Sequence, residues 1–153
     1  MANLEELVGK LKEIFPQAIE ETAVYRDEYT IRVKRSHLLE VASFLRDDPS
    51  CAFDFLSDLC GVDYMGRVPR FEVVYHLYSM RHRHRLRMKT SPPDADLTVP
   101  SVVSVWKTAD WHERECYDLL GITFSDHPDL RRILTPDGFK EYPLRKDFPL
   151  RGR

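Results

Sequence analysis

The chain has 153 residues, 42% of them hydrophobic and 11% aromatic, with a formal net charge of −2. That length suits one domain with a substantial core, and the charge excludes a globally basic protein that would hold nucleic acid by its field alone. Cys51, Cys60 and Cys116 are odd in number and form no C-x-x-C pair, so their spacing spells neither a disulfide framework nor a zinc or iron–sulfur site.

The opening residues, MANLEELVGKLKEIF, carry acids in the first turn of an amphipathic helix pattern, unlike a signal or transit peptide. Asn3 is placed to cap that helix with Glu6 as its box partner, and Leu4, Leu7, Val8, Leu11, Ile14 and Phe15 recur at helical spacing until Pro16. Residues 18–25 and 29–34 read as two short strands around the turn Arg26-Asp27-Glu28. Ser36 is expected to cap a second helix, with Leu38, Leu39, Ala42 and Leu45 facing inward and a stop near Asp48-Pro49.

Phe53, Phe55, Leu56, Leu59 and Cys60 fit a short helical turn or a strand, and the helical turn is preferred, with a strand following through Val62-Asp63-Tyr64. The apolar run FEVVYHLYSM predicts a central strand buried on both faces. After it, RHRHRLRMK alternates, setting Arg81, Arg83, Arg85, Arg87 and Lys89 on one side of a strand and His82, His84, Leu86 and Met88 on the other. Residues 91–101 form a loop, and Ser101 to Lys107 a short turn or strand. Asp110 with Glu113 makes a capping box for a helix through Leu120, ended by Gly121 as a left-handed cap.

Beyond Gly121, Pro128, Pro136, Pro143 and Pro149 forbid a long helix. The reading is therefore an α/β (α+β) globular domain over 1–120 and an extended, proline-rich C-terminal arm over 121–153. From Gly121 onward there are seven Lys or Arg against five Asp or Glu, so the arm is mildly basic and the body mildly acidic. Nowhere does an apolar run approach the roughly 20 residues needed to span a bilayer.

Several constellations invite a chemical reading. His112-Glu113-x-x-Cys116 resembles a zinc-protease helix but has cysteine where that motif needs its second histidine. His82-x-His84 is flanked by arginines that repel a cation. Asp110, Glu113, Glu115 and Asp118 share one helix, where the plainer reading has Glu113 capping, Arg114 pairing with Asp118, and Glu115 meeting a base. With no nucleophile, glycine-rich loop or oxyanion motif beside them, a catalytic role has little support. The basic strand could bind nucleic acid or another anion, but it lacks stacking aromatics and suits a charge-guarded sheet edge. The arm sets Arg131, Arg132, Arg145 and Arg151 beside Phe139, Tyr142 and Phe148, a mixture that anchors protein interfaces and can equally fold back over its own sheet.

Three blocks then carry a family likeness: Glu113-Arg114-Glu115-x-x-Asp118-x-x-Gly121-Ile122-x-Phe124, His127-Pro128-Asp129-Leu130-Arg131-Arg132-Ile133, and Pro143-Leu144-Arg145-Lys146-Asp147-Phe148-Pro149. They resemble the signature of the 30-kilodalton subunit family of NADH–quinone oxidoreductase, respiratory complex I. Gly61-Val62-Asp63-Tyr64 and the stretch from Pro100 through Trp111 also resemble it. The resemblance implies a mixed sheet flanked by helices, and a peripheral-arm subunit with no redox cofactor of its own. NADH, FMN, iron–sulfur clusters and quinone would sit on other subunits. The implied partners are the large quinone-site subunit and an adjacent iron–sulfur subunit, at the cytoplasmic face of the bacterial inner membrane. Related subunits in membrane-bound hydrogenases and other quinone reductases are the nearest alternative. On this reading Arg131, Arg132, Arg145 and Lys146 pair with partner carboxylates, and Phe124, Phe139 and Phe148 fill partner pockets. Glu113, Arg114, Glu115, Asp118, His127 and Asp147 complete the expected contact.

Overall fold

A computed structural model describes residues 3–151; Met1, Ala2, Gly152 and Arg153, at the outer ends of the two expected segments, lie outside the described residues. The chain order is α1 (Leu4–Ile14), β1 (Ile19–Tyr25), β2 (Glu28–Val33), a 3-10 turn at Arg35–His37, α2 (Leu38–Asp47), β3 (Phe55–Asp63), β4 (Phe71–Tyr78), β5 (Arg85–Thr90), β6 (Thr98–Pro100), α3 (Ala109–Leu120) and β7 (Thr123–Ser125). β1 to β5 form one sheet in the order β1-β2-β5-β4-β3, and β6 and β7 form a second, two-stranded one. The β2–β5 pair is parallel and the other pairs of the large sheet are antiparallel, so the sheet is mixed as expected.

Register explains which side chains are buried. Ile31 of β2 and Tyr75 of β4 both sit opposite Met88 of β5, and Leu77 opposite Leu86, which aligns one apolar face across three strands. That face joins Leu7 and Leu11 of α1, Val41 and Leu45 of α2, and Cys116 and Leu120 of α3 in one buried cluster. The other face is polar. There the Glu72 carboxylate, buried by its neighbours, meets Arg32 at 2.7 Å, Lys89 at 3.3 Å and Arg67 at 3.4 Å.

The β1–β2 hairpin turns through Arg26 and Asp27, both left-handed at φ 50° and 63°, the two-residue geometry that matches strand twist. Asn3 caps α1 by accepting from the Glu5 amide. β4 lies inside the sheet between β3 and β5, as its apolar run predicts.

Four expectations are corrected. Ser36 does not cap α2; it sits in the 3-10 turn with its hydroxyl 2.9 Å from His37 Nδ1, and Leu39 is exposed while Val41 takes the inward place. Residues 55–63 are strand throughout. A bulge between Leu56 and Asp58 shifts the pleat, so buried Leu56 and Leu59 fall three apart and mimic helical spacing. The basic strand begins only at Arg85, because Ser79 to His84 turn the chain, with Arg83 at φ 57° and the Ser79 amide donating to the His84 carbonyl. It is no edge either: β5 lies between β2 and β4, and Arg87 and Lys89 are paired with Glu28 and Glu72. Finally, α3 starts at Ala109 with no side-chain cap, so the Asp110–Glu113 box does not form.

α3 packs on β3 where Gly61 leaves room. A Cβ there would clash with Leu120 Cδ1 and stand 3.3 Å from Ile122 Cδ1. Gly61→Val is therefore expected to lower unfolding free energy by ~1–3 kcal/mol through overpacking, read from chemical denaturation.

Candidate functional site

Helix α3 is polar in composition, yet two of its acids are buried. Glu113 faces the core, where Oε2 accepts from Ser101 Oγ at 2.7 Å and Oε1 from the Val102 amide at 2.7 Å. These bonds hold the loop after β6 against the helix. Burial pushes the Glu113 carboxyl up to about 7, against the two hydrogen bonds and with Asp110 adding to the rise.

Asp118 does the opposite work. Its Oδ2 accepts the backbone amides of Ile133, Leu134 and Thr135 at 3.1, 2.7 and 2.9 Å. Its Oδ1 accepts from the Thr135 hydroxyl and from Arg132 Nη1, the latter at 2.8 Å. Three successive amides converging on one oxygen form an anion nest, and here the anion belongs to the chain itself. Burial opposes ionisation of Asp118, but the Thr135 and Arg132 bonds and the amides outweigh it and hold the carboxyl well below the usual range. Arg132, only 11% exposed at its side chain, also donates to the Asp118 carbonyl and lies over the rings of Phe139 and Tyr142.

The rest of the arm is tied down in the same manner. Arg114 does not pair with Asp118; it donates to the carbonyls of Arg131 and Arg132. His127 accepts the Asp129 amide at Nδ1, which places its proton on Nε2, and Nε2 lies 3.1 Å from both the Asp110 carbonyl and its carboxylate. Arg145 donates to the Leu120 carbonyl at 2.7 Å and stacks over Tyr142 and Phe71. Left-handed Gly121 makes this possible, since a Cβ there would meet Arg145 Nη2 at 2.6 Å. Asp63 accepts both arms of the Arg70 fork and the Lys146 amide, and Arg70 continues to Asp147 at 3.0 Å.

The expected contact residues thus divide. Glu113, Arg114, Asp118, His127, Arg132, Arg145 and Asp147 bond within the chain, and Phe124 lies in its own core opposite Val99 of β6. Glu115, Arg131 and Lys146 are exposed, Arg131 with its guanidinium paired to Asp129 at 2.8 Å, and Phe139 and Phe148 are half-buried. A ridge of side chains that sequence reasoning passed over stands free instead: Trp111 is 70% exposed, Leu134 64% and Leu144 59%. Trp111, His112 and Glu115 of α3 line a groove of about 460 Å³ with Ile133 and Leu134 of the arm. A second groove, shared by Glu115, Leu119 and Leu144, runs toward Asp58 and Cys60. No sequence signal marks these side chains, whose exposure follows from the path of the returning arm.

Two outcomes follow from the buried acids. Asp118→Ala leaves Arg132 and three amides without their anion, so stability is expected to fall by about 3 kcal/mol and trypsin to cut the arm faster than the body. Glu113 binds its proton more tightly folded than unfolded, so its contribution is fully present below pH 4.5 and lost as pH rises through about 7. Denaturation at pH 5 and pH 8 is expected to show a loss of up to about 3 kcal/mol that Glu113→Gln flattens.

The geometry can be set beside known proteins. A profile described as "Respiratory-chain NADH dehydrogenase, 30 Kd subunit" matches residues 31–153. The chain is 50% identical over 149 residues to the NADH-quinone oxidoreductase C subunit of Hyphomonas neptunium, covering 97% of this chain and 73% of that one. It is 47% identical over 152 residues to the protein of the same name from Citrifermentans bemidjiense, covering 99% and 93%. Among solved structures, the trypsin-resistant fragment of Nqo5 superposes with a TM-score of 0.72 at 28% identity, covering 83% of this chain and 98% of that one. A chain of the membrane-bound sulfane sulfur reductase, an archaeal respiratory membrane complex, gives 0.78 at 25% identity, covering 95% and 85%. With a matching profile over four-fifths of its length and relatives at about half identity across nearly all of it, the chain belongs to the respiratory-chain NADH dehydrogenase 30 kDa subunit family.

Proposed function

We propose that the chain is a peripheral-arm subunit of an NADH–quinone oxidoreductase, a scaffold that positions the large quinone-site subunit and the neighbouring iron–sulfur subunit. In this reading electrons pass through NADH, FMN, iron–sulfur and quinone sites on other subunits, and this chain carries no redox centre. The observation that carries the reading is the set of exposed apolar side chains Trp111, Leu134 and Leu144 along α3 and the returning arm, with the Leu134 backbone fixed by the Asp118 nest. Exposed tryptophan and leucine beside Glu115, Arg131 and Lys146 give an apolar centre with a charged rim, the usual anatomy of a contact between subunits. Among the described residues no helix is long and apolar enough to cross a membrane. The chain is then held at the cytoplasmic face of the bacterial inner membrane through its partners.

A second reading, the equivalent subunit of a related membrane-bound reductase or hydrogenase, is supported by the likeness to the sulfane sulfur reductase chain. Relatives at about half identity that carry the NADH–quinone name favour the first. The nucleic-acid reading has less support, because two of its five bases, Arg87 and Lys89, are paired within the sheet and the other three sit at the turn and strand start, not along one strand face.

Affinity capture of the tagged chain from the native membrane fraction tests both. Wild type is expected to bring down a large quinone-site subunit and iron–sulfur subunits, and Trp111→Ala/Leu134→Ala to lose them while keeping its circular dichroism. Each anchor is expected to be worth at least about 2 kcal/mol of binding. Companions retained by the double variant would contradict the ridge, and wild type recovered alone would contradict the reading as a subunit.

A further inference from the structure

Away from the arm contacts, three side chains with metal-ligating atoms converge beside the β3 edge. Asp58 pairs directly with His76 across the β3–β4 ladder, and Cys60 lies two residues further along β3 on the same face. Their ligand atoms all lie within 4.8 Å of one another. From the α3 side, His112 Nδ1 stands 3.5 Å from Asp58 Oδ1. One carboxylate, one thiol and one imidazole make a mixed O, S and N donor set, which suits a borderline-soft divalent cation and not a hard one.

We propose that Asp58, Cys60 and His76 form a binding site for a single divalent cation of the zinc class, with His112 orienting Asp58 from helix α3. Tetrahedral coordination with ligand bonds of about 2.0–2.3 Å needs the three atoms roughly 1 Å closer together, an adjustment that the proposal assigns to the side chains. As the metal–sulfur bond forms, the Cys60 thiol releases its proton to solvent, so no oxidant or reductant is involved. Acidic side chains surround the Cys60 thiol: Asp58 on the same strand face, Glu115 across the groove and Glu72 on β4, with Lys89 opposing them. The two flanking bases are engaged elsewhere, Arg87 with Glu28 and Lys89 with Glu72. Because the ligands come from two paired strands, with the orienting His112 on a helix, no spacing along the chain announces them. A bound cation would tie β3, β4 and α3 together at the edge of the groove that Glu115 and Leu144 share.

Cobalt titration of the purified full chain, followed by zinc competition, tests the site. A single equivalent of Co²⁺ is expected to give a near-ultraviolet thiolate-to-metal band that Zn²⁺ removes. Cys60→Ser is expected to abolish the band, His76→Ala to weaken binding more than ~10-fold, and His112→Ala to weaken it about 10-fold. The turn variant His82→Ala is expected to leave the band unchanged, and circular dichroism confirms that each variant is folded. Absence of a saturable band in folded wild type would overturn the proposal. So would a band that survives Cys60→Ser, or one lost with His82→Ala. None of these outcomes depends on the proposed place in a respiratory complex, since no partner is present in the experiment.

Discussion

The Asp118 carboxylate is the interaction on which the arrangement of this chain depends. It is buried in the last turn of α3, a place where the helix dipole disfavours an anion. Such a group is tolerable only with several strong donors, and the arm supplies them: three consecutive amides, one hydroxyl and one guanidinium. Helix and arm therefore form one folding unit despite lying on opposite sides of Gly121.

That dependence changes the meaning of the charged motifs. A run such as Glu113-Arg114-Glu115-x-x-Asp118 looks like a surface made for a partner, because charges at this density are normally solvated. In this chain most of those charges bond inside. Glu113 fastens the loop at Ser101 and Val102, Arg114 holds arm carbonyls, and Asp63 with Arg70 receives the arm's far end near Lys146. Enough charges are used up internally that the exposed side chains left along α3 and the arm include the apolar Trp111, Leu134 and Leu144, which line the two grooves that Glu115 shares.

Much of the fold was legible in the sequence because period is a local property. The helical spacing of α1, the alternation of β2, the continuous run of β4 and the left-handed Gly121 cap all appear where expected. Failures came where a non-local feature broke the period. The bulge at Leu56–Asp58 disguised β3 as helix, and the turn from Ser79 to His84 cut the basic strand in half. Glu113 shows the same limit for the site. Its position suits a capping box, and only the tertiary placement of Ser101 and Val102 reveals a buried acid instead. Asp58 and His76 meet through strand pairing, which no linear spacing encodes.

The most direct test of this account is amide hydrogen exchange on the isolated chain, with no partner subunit present. If the arm is clasped by Asp118 in the chain's own fold, the amides of Ile133, Leu134 and Thr135 should be protected comparably to those of α3, and Asp118→Asn should release them selectively. If those three amides exchange at unfolded rates while β4 and β5 stay protected, the arm is ordered only by its partners and the intrachain clasp is wrong.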